Sequence, residues 1–425
     1  MINEIRESIE YLRFHLLHRR SRSAIQRWQE KRLRMIIMHA AANVPLYKKL
    51  YALSGIEPEK IRTLEGLSSL PITRKETFLD RPREELIDNS QQIFSRWYNT
   101  SGTSGKPFTF LFGRNSTDMR YLESVCFRFI SWQHAFMFDF SKLRVARIKI
   151  RSNSSRYRFF MPVKQFLSDP EDAIRKLASF KPEVLESYTS ILFILAQKLS
   201  SDLSLPRIRP KYIVSFGEML PPALRGFLET AMQSEVYDRY GIEEMSAVAC
   251  ECTYHDGQHL HSESIIAEIV DEEGRVLPPG QWGRVILTDL TNYNMPFIRY
   301  DTGDHGVISL EGCTCGLETP RIWFEGRYSA FLNFGGRDIH HLEFDAALDM
   351  FMDLVFQYQF AKTAEGALEL RIVPGALFDG NATQRIESNV RELVGNSIAV
   401  KIILVANIPP TARGKCQIVV DETLV

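Results

Sequence analysis

The sequence predicts an α/β protein: a large N-terminal domain with mostly parallel sheets, a β-rich subdomain within it, and a small α+β domain at the C-terminal end. Three observations predict this. Between 143 and 233, strand-like runs alternate with helix-spaced runs, the pattern of a mostly parallel sheet. From Ser264 the texture changes to hairpin strands: Ile265-Ile266-Ala267-Glu268-Ile269-Val270, a turn at Asp271-Glu272-Glu273-Gly274, and Gly283-Arg284-Val285-Ile286-Leu287-Thr288-Asp289-Leu290. After Gly326-Arg327, strands near 368–373 and 400–406 mix with helices near 341–351 and 382–394. The expected domains are 1–327, with a helical segment at 1–98 and the β-rich part at about 264–327, and 328–425.

A chain of 425 residues can bury large cores and is too long for one typical domain. Lys plus Arg and Asp plus Glu both total 52, so no global field favours nucleic acid or an anionic membrane. No apolar run is long enough for a signal sequence or a membrane span. Six cysteines do not make a disulfide scaffold, and the protein reads as cytoplasmic.

The first segment repeats apolar residues at helix spacing over 25–42, until Asn43-Val44-Pro45-Leu46-Tyr47 breaks the pattern. Arg19, Arg20, Arg22, Arg27, Lys31, Arg32 and Arg34 read as a solvated helix face. Further on, 118–140 reads as a long apolar helix, 143–150 as a strand, 171–178 as a helix and 181–188 as a turn into a strand. A helix at 190–199, a strand at 211–218 ending in a glycine turn, and a helix at 222–233 follow. Ligands of such sheets bind where the carboxyl ends of the strands meet loops, which places Gly217 and Glu218 at a site.

The run Asn99-Thr100-Ser101-Gly102-Thr103-Ser104-Gly105-Lys106-Pro107 can cradle phosphates. Its glycines allow close backbone approach, the hydroxyls of Thr100, Ser101, Thr103 and Ser104 donate, and Lys106 supplies a point charge. It is not a Walker loop, because Pro107 follows the lysine. The bland reading is a flexible linker. Asp238-Arg239-Tyr240-Gly241-Ile242-Glu243-Glu244 offers an aromatic face for a base and a carboxylate for Mg²⁺. Arg299-Tyr300-Asp301-Thr302-Gly303-Asp304 ends in an acid suited to ribose hydroxyls, Phe324-Glu325-Gly326-Arg327 brings a guanidinium, and Pro410-Thr411-Ala412-Arg413-Gly414-Lys415 sets a lysine on a glycine turn.

In this order and spacing the motifs resemble the adenylate-forming superfamily over about residues 30 to 418. Within it the chain is most similar to the phenylacetate-CoA ligase and capsule-protein CapK branch, through Val44-Pro45-Leu46-Tyr47, Pro71-Ile72-Thr73-Arg74-Lys75, Tyr188-Thr189-Ser190 and Met295-Pro296-Phe297-Ile298-Arg299-Tyr300. The resemblance implies that Thr100, Ser101, Gly102, Thr103, Ser104, Gly105 and Lys106 hold the β- and γ-phosphates of ATP. Gly217, Glu218, Tyr240 and Gly241 would flank the adenine, Glu244 would bind Mg²⁺, Asp304 the ribose, and Arg327 ribose or phosphate. Lys415 would bridge the substrate carboxylate and the α-phosphate, which requires the small domain to fold over the large one. Two features depart from the family. Tyr328-Ser329-Ala330 lacks the acidic hinge on which relatives rotate that domain, and the stretch 127–166, which would help build the acyl pocket, shows little likeness to phenylacetate-CoA ligase.

Cys250-Glu251-Cys252 and Cys313-Thr314-Cys315, with His259 and His261 between them, suit a closed tetrahedral zinc site. Matching to the branch picks Cys252, His259, Cys313 and Cys315, with Cys250 or His261 as alternatives.

The expected function is an ATP-dependent ligase that activates a small carboxylic acid as its acyl-AMP with release of pyrophosphate, then transfers it to CoA, a carrier-protein thiol or an amine. With no carrier domain before Val425, the acceptor comes from elsewhere. ATP, Mg²⁺, a structural Zn²⁺ and CoA are the expected cofactors, and a homodimer without nucleic-acid or membrane partners is the expected state. The alternative is a degenerate nucleotide-binding or assembly protein of a polysaccharide or secondary-metabolite pathway. The missing acidic hinge favours it, and the presence of Lys106, Glu244, Asp304 and Lys415 together opposes it.

Overall fold

The computed structural model describes residues 20–79, 81–90, 95–99, 109–113, 144–149, 158–327, 331–334, 337–395, 398–410 and 416–424. The chain forms two compact units, each drawn from two separate stretches: 1–137 with 239–324, and 138–238 with 325–425. The expected helix at 118–140 lies outside the described residues.

The first unit opens with α1 (Arg22–Asn43), whose Leu33, Ile36, Ile37 and Ala40 recur at helix spacing and are buried. Val44 is extended, as a residue before proline must be, and Pro45 then occupies the first turn of α2 (Pro45–Leu53). The break expected at 43–47 is thus one residue wide. Short turns α3 (Leu64–Leu67), α4 (Lys75–Phe78) and α5 (Arg83–Leu86) follow. The helical segment stops earlier than expected, since β1 (Ser95–Asn99) pairs antiparallel with β2 (Thr109–Gly113). Tyr98 faces Phe110 across this hairpin with ring centroids 5.8 Å apart, and Asn99 pairs with Thr109.

The second unit carries the expected alternation: β3 (Val145–Lys149), β4 (Arg158–Pro162), α6 (Val163–Ser168), α7 (Pro170–Phe180), β5 (Val184–Tyr188), α8 (Thr189–Ser201), β6 (Tyr212–Phe216) and α9 (Pro222–Met232). The strands lie in the order β4-β3-β5-β6, and each of these pairings is parallel. β5 is buried along its whole length, as strands covered by helices on both faces are.

β7 (Glu235–Ile242) returns the chain to the first unit. β8 (Ser246–Glu251), β9 (Gln258–Leu260), β10 (Ile265–Val270), β11 (Gly283–Asp289), β12 (Tyr300–Ser309) and β13 (Arg321–Arg327) follow, in the order β10-β11-β12-β13-β9-β8-β7. The expected hairpin is β10–β11, antiparallel from Ile265–Asp289 to Val270–Arg284. One core joins Leu33, Ile36, Tyr47 and Leu70 from the start of the chain to Ile269, Leu287, Phe297 and Ile322.

The remainder belongs to the second unit: the hairpin β14 (Phe331–Phe334) and β15 (Arg337–His340), α10 (His341–Leu348), β16 (Val355–Lys362), β17 (Leu368–Pro374), α11 (Gly380–Val394), β18 (Val400–Leu404) and β19 (Val419–Asp421). β18-β17-β16-β19 form a separate mixed sheet with its own core around Phe344, Phe360 and Ile386. It also docks on the helices of the same unit: Phe356 stacks on Phe227 at 4.8 Å, and Val373 and Ile408 join the core of α8 and α9. Among the described residues, no helix is long and apolar enough to cross a membrane.

Candidate nucleotide site and metal-ligating cluster

Two contacts in the first unit involve expected site residues: Tyr240 meets Asp304, and Glu244 meets Tyr300. A bulge against β8 separates Tyr240 from Gly241 at the end of β7, and a Cβ at Gly241 would lie 2.2 Å from the Ser246 carbonyl oxygen. Only glycine fits there. The Tyr240 ring stacks on Phe324 with centroids 3.5 Å apart and planes 27° off parallel, and its hydroxyl donates to the Asp304 carboxylate. Asp304 is 8% exposed and is presented by a loosened stretch of β12, where Gly303 has φ +73° and the Asp304 amide donates to the Thr302 hydroxyl at 3.0 Å. Glu244, equally buried, accepts from the Tyr300 hydroxyl at 3.0 Å.

The start of β12 is fixed from several sides. Thr73 donates its amide to the Arg299 carbonyl at 2.9 Å and accepts from Asp301 at 2.8 Å, which explains what the stretch 71–75 does. The Tyr47 hydroxyl donates to the Pro296 carbonyl at 2.8 Å and accepts the Ile298 amide at 3.1 Å. Arg299, in the left-handed region at φ +47°, sends its guanidinium to Glu268 at 3.0 Å and to the Leu70 carbonyl at 2.6 Å. Burial pushes the Glu268 carboxyl up, and Arg299 pulls it back. Asp301 accepts from Arg284 at 2.7 Å. These braces hold Tyr300 and Asp304 on one strand, an arrangement able to hold a ribose diol beside an aromatic ring.

In the second unit, Gly217 takes φ +77° after β6, and Glu218 accepts from the Ser190 amide at 2.8 Å and the Ser190 hydroxyl at 2.9 Å. β3 and β5 carry a buried ion pair at equivalent register, Arg147 to Glu186 at 2.5 Å, with Lys149 at 3.8 Å from the same carboxylate. At the opposite ends of these strands a cavity of about 560 Å³ is lined by Arg144, Lys181, Arg207, Arg209 and Lys211. Its arginines serve backbone carbonyls at helix ends, Arg144 that of Lys181 at 2.7 Å and Arg207 that of Leu199 at 2.6 Å. Thr100, Ser101, Gly102, Thr103, Ser104, Gly105, Lys106 and Lys415 lie outside the described residues, and for Arg327 only the backbone is described.

Cys252, His259, Cys313 and Cys315 place one ligand atom each within 4.8 Å of one another. The Cys252 and Cys313 sulfurs are 3.7 Å apart and Cys315 Sγ lies 3.3 Å from His259 Nε2. Tetrahedral ligands about 2.3 Å from a metal stand about 3.8 Å apart, so the spacing fits such an ion. The other ring nitrogen of His259 meets the Thr319 hydroxyl at 2.8 Å, which orients Nε2 toward the cluster. The hydrogen bond from Cys315 pulls the Cys252 thiol down to about 4, while the same contact, with burial, pushes Cys315 up and burial pushes Cys313 up. Cys250 instead packs with Ala247 and Leu317, and His261 lies 3.8 Å from buried Glu263; neither is among the four.

Sequence reasoning missed Phe324 as the ring under Tyr240, Thr319 behind His259 and Ser190 on Glu218. Tyr188-Thr189-Ser190 was the one signal for the last.

No protein-family model matches the chain. It is 24% identical to the phenylacetate-coenzyme A ligase of Thermus thermophilus over 438 residues, covering 94% of this chain and 97% of that protein. It is 24% identical to the phenylacetate-coenzyme A ligase of Escherichia coli K12, covering 93% and 94%. Among solved structures, 2-hydroxyisobutyryl-CoA ligase in the postadenylation state with 2-HIB-AMP superimposes with a TM-score of 0.72 at 20% identity, covering 94% of this chain and 89% of that one. Along nearly its whole length the chain is similar to phenylacetate-coenzyme A ligases, and it shares the fold of 2-hydroxyisobutyryl-CoA ligase.

Proposed function

We propose that the protein is an ATP-dependent acid–CoA ligase, which joins a small carboxylic acid to AMP with release of pyrophosphate and passes the acyl group to the CoA thiol. The observation that carries this reading is the two hydrogen bonds, Tyr240 to Asp304 and Tyr300 to Glu244, that link β7 and the turn after it to β12, in a chain similar to phenylacetate-coenzyme A ligases almost end to end. The adenine lies by Tyr240, Gly241 and the Gly217–Glu218 backbone, and the ribose on Asp304 and Arg327. Thr100, Ser101, Gly102, Thr103, Ser104, Gly105 and Lys106 hold the outer phosphates. An attacking carboxylate and a triphosphate repel each other, so the site must supply positive charge where the bond forms. Lys415 does so between carboxylate and α-phosphate, and Glu244 holds the Mg²⁺ that neutralises the phosphates.

Residues 328–425 act as the domain that closes over residues 1–327 for the first half-reaction and turns for the second. Cys252, His259, Cys313 and Cys315 hold a structural Zn²⁺, since all four positions are filled by protein. The reduced thiols suit the cytoplasm.

The test is pyrophosphate exchange across a panel of carboxylic acids, followed by CoA-dependent release of AMP. Exchange with one acid class, lost in Lys415→Ala, is expected. No exchange with any acid, or Lys415→Ala at the wild-type rate, overturns the reading.

A further inference from the structure

Glu218 is a two-ended contact. One carboxylate oxygen accepts the backbone N–H and the hydroxyl of Ser190, at 2.8 and 2.9 Å, in the first turn of α8. The free N–H groups and the positive end of the helix dipole favour a carboxylate there. The other oxygen accepts the backbone N–H of Cys416, and the Thr189 hydroxyl donates to the Glu218 carbonyl at 3.2 Å. Cys416 is braced in turn: its thiol donates to the Ile408 carbonyl at 3.2 Å, and Gln357 Nε2 lies 3.8 Å from its sulfur. Burial, and then the Glu218 charge, push that thiol up to about 12, so the carboxylate faces a neutral group. Cys416 directly follows Lys415 in the chain.

A carboxylate only accepts hydrogen bonds, and each oxygen here meets its own N–H. One oxygen serves the helix that follows β5, and the other serves the C-terminal segment. A glutamine at this position would turn an NH₂ group against one of those donors. We infer that Glu218 is a positioning residue: its side chain holds the C-terminal segment that carries Lys415 in place for acyl-AMP formation, while any contact to adenine is made by the backbone of residues 217–218. Turning that segment away for thioester formation breaks the bond to Cys416, so Glu218 serves only the first half-reaction. The catalytic consequence rests on the ligase reading; the contact itself does not.

Two measurements on the full chain test this with Glu218→Gln and Ser190→Ala, the second removing only one donor. The first is amide hydrogen exchange without ligand. Exchange in peptides spanning 416–424 is expected to quicken about tenfold in Glu218→Gln, and less in Ser190→Ala, with β17 unchanged. The second separates the half-reactions, using whichever of phenylacetate, benzoate or 2-hydroxyisobutyrate the wild type turns over best. Pyrophosphate exchange is expected to fall about tenfold in kcat, with thioester formation from supplied acyl-AMP and CoA within about twofold. Unchanged hydrogen exchange at Cys416 overturns the inference, and so does an equal loss in both half-reactions. A wild type that activates no acid defeats the ligase reading instead, and the hydrogen-exchange result still decides whether Glu218 holds the segment.

Discussion

Replacing Cys313 by serine removes one of the four donors that join the loop after β8 to the loop before β13. Cys252 and Cys313 are 61 residues apart in the chain. A cross-link closing a span of that length restricts the unfolded chain by about 4 kcal/mol in the loop-closure model. In a unit of roughly 220 residues, that corresponds to a loss of about 10 °C in melting temperature. The assay has two parts: elemental analysis of zinc in purified wild type and Cys313→Ser, and thermal unfolding of both with and without EDTA. One equivalent of zinc in the wild type is expected, together with a melting point that EDTA lowers toward that of the variant. Cys250→Ser is expected to keep its zinc, because Cys250 packs with Ala247 and Leu317 instead. Zinc well under one equivalent in the wild type, or a Cys313→Ser melting point equal to it, refutes the reasoning.

Burial raises the Asp289 carboxyl to about 6, against hydrogen bonds from Thr291 and Asn292 that lower it. The folded state therefore binds this proton more tightly than the unfolded state does, so the group's contribution to stability falls as pH rises from about 4 to 6 and stays lower above, by about 3 kcal/mol. Asp289→Asn is expected to gain on the wild type across that window, read by urea unfolding at pH 4.5 and 7; a constant difference contradicts this. Tyr300→Phe leaves the buried Glu244 carboxylate without its hydroxyl donor at 3.0 Å, a change worth about 1–3 kcal/mol. Its pyrophosphate exchange is expected to need more Mg²⁺, seen in a metal titration of the initial rate. Arg147→Met removes the nearer cation from the buried Glu186 carboxylate, leaving Lys149 at 3.8 Å, and is expected to cost about 3 kcal/mol, with Arg147→Met/Glu186→Leu recovering most of it in denaturant titrations.

The alternation of strands and helices was readable because 145–148, 184–188 and 212–216 are strand-length runs in which apolar residues predominate between helix-spaced segments, and nearly all of their residues are buried. The start of α11 was less clear: Asp379, accepting the Ala382 amide at 2.7 Å, sets it two residues before the expected 382. β1 was missed because Ser-Arg-Trp-Tyr-Asn shows little alternation and exists through its pairing with β2. At the site, the residue types suggested the chemistry, but their contacts could not be read. Tyr240 meets Asp304 across 64 residues and Glu244 meets Tyr300 across 56, distances set by strand register. Spacing alone left Cys250 and Cys252 equivalent; Cys250 lies within β8 and packs with Ala247 and Leu317, whereas Cys252, just past the end of the strand, lies with His259, Cys313 and Cys315.

Because each unit is assembled from two stretches, neither can finish its interior while the ribosome has made only the first half of the chain. Leu33, Ile37 and Tyr47 must wait for Leu287, Phe297 and Ile322, and the helices of the second unit wait for Val373 and Ile408. A nascent chain halted at 238 would carry two open apolar surfaces at once, a natural target for chaperones. Cutting the gene at the boundary between α9 and β7 would therefore yield fragments that fold together or not at all.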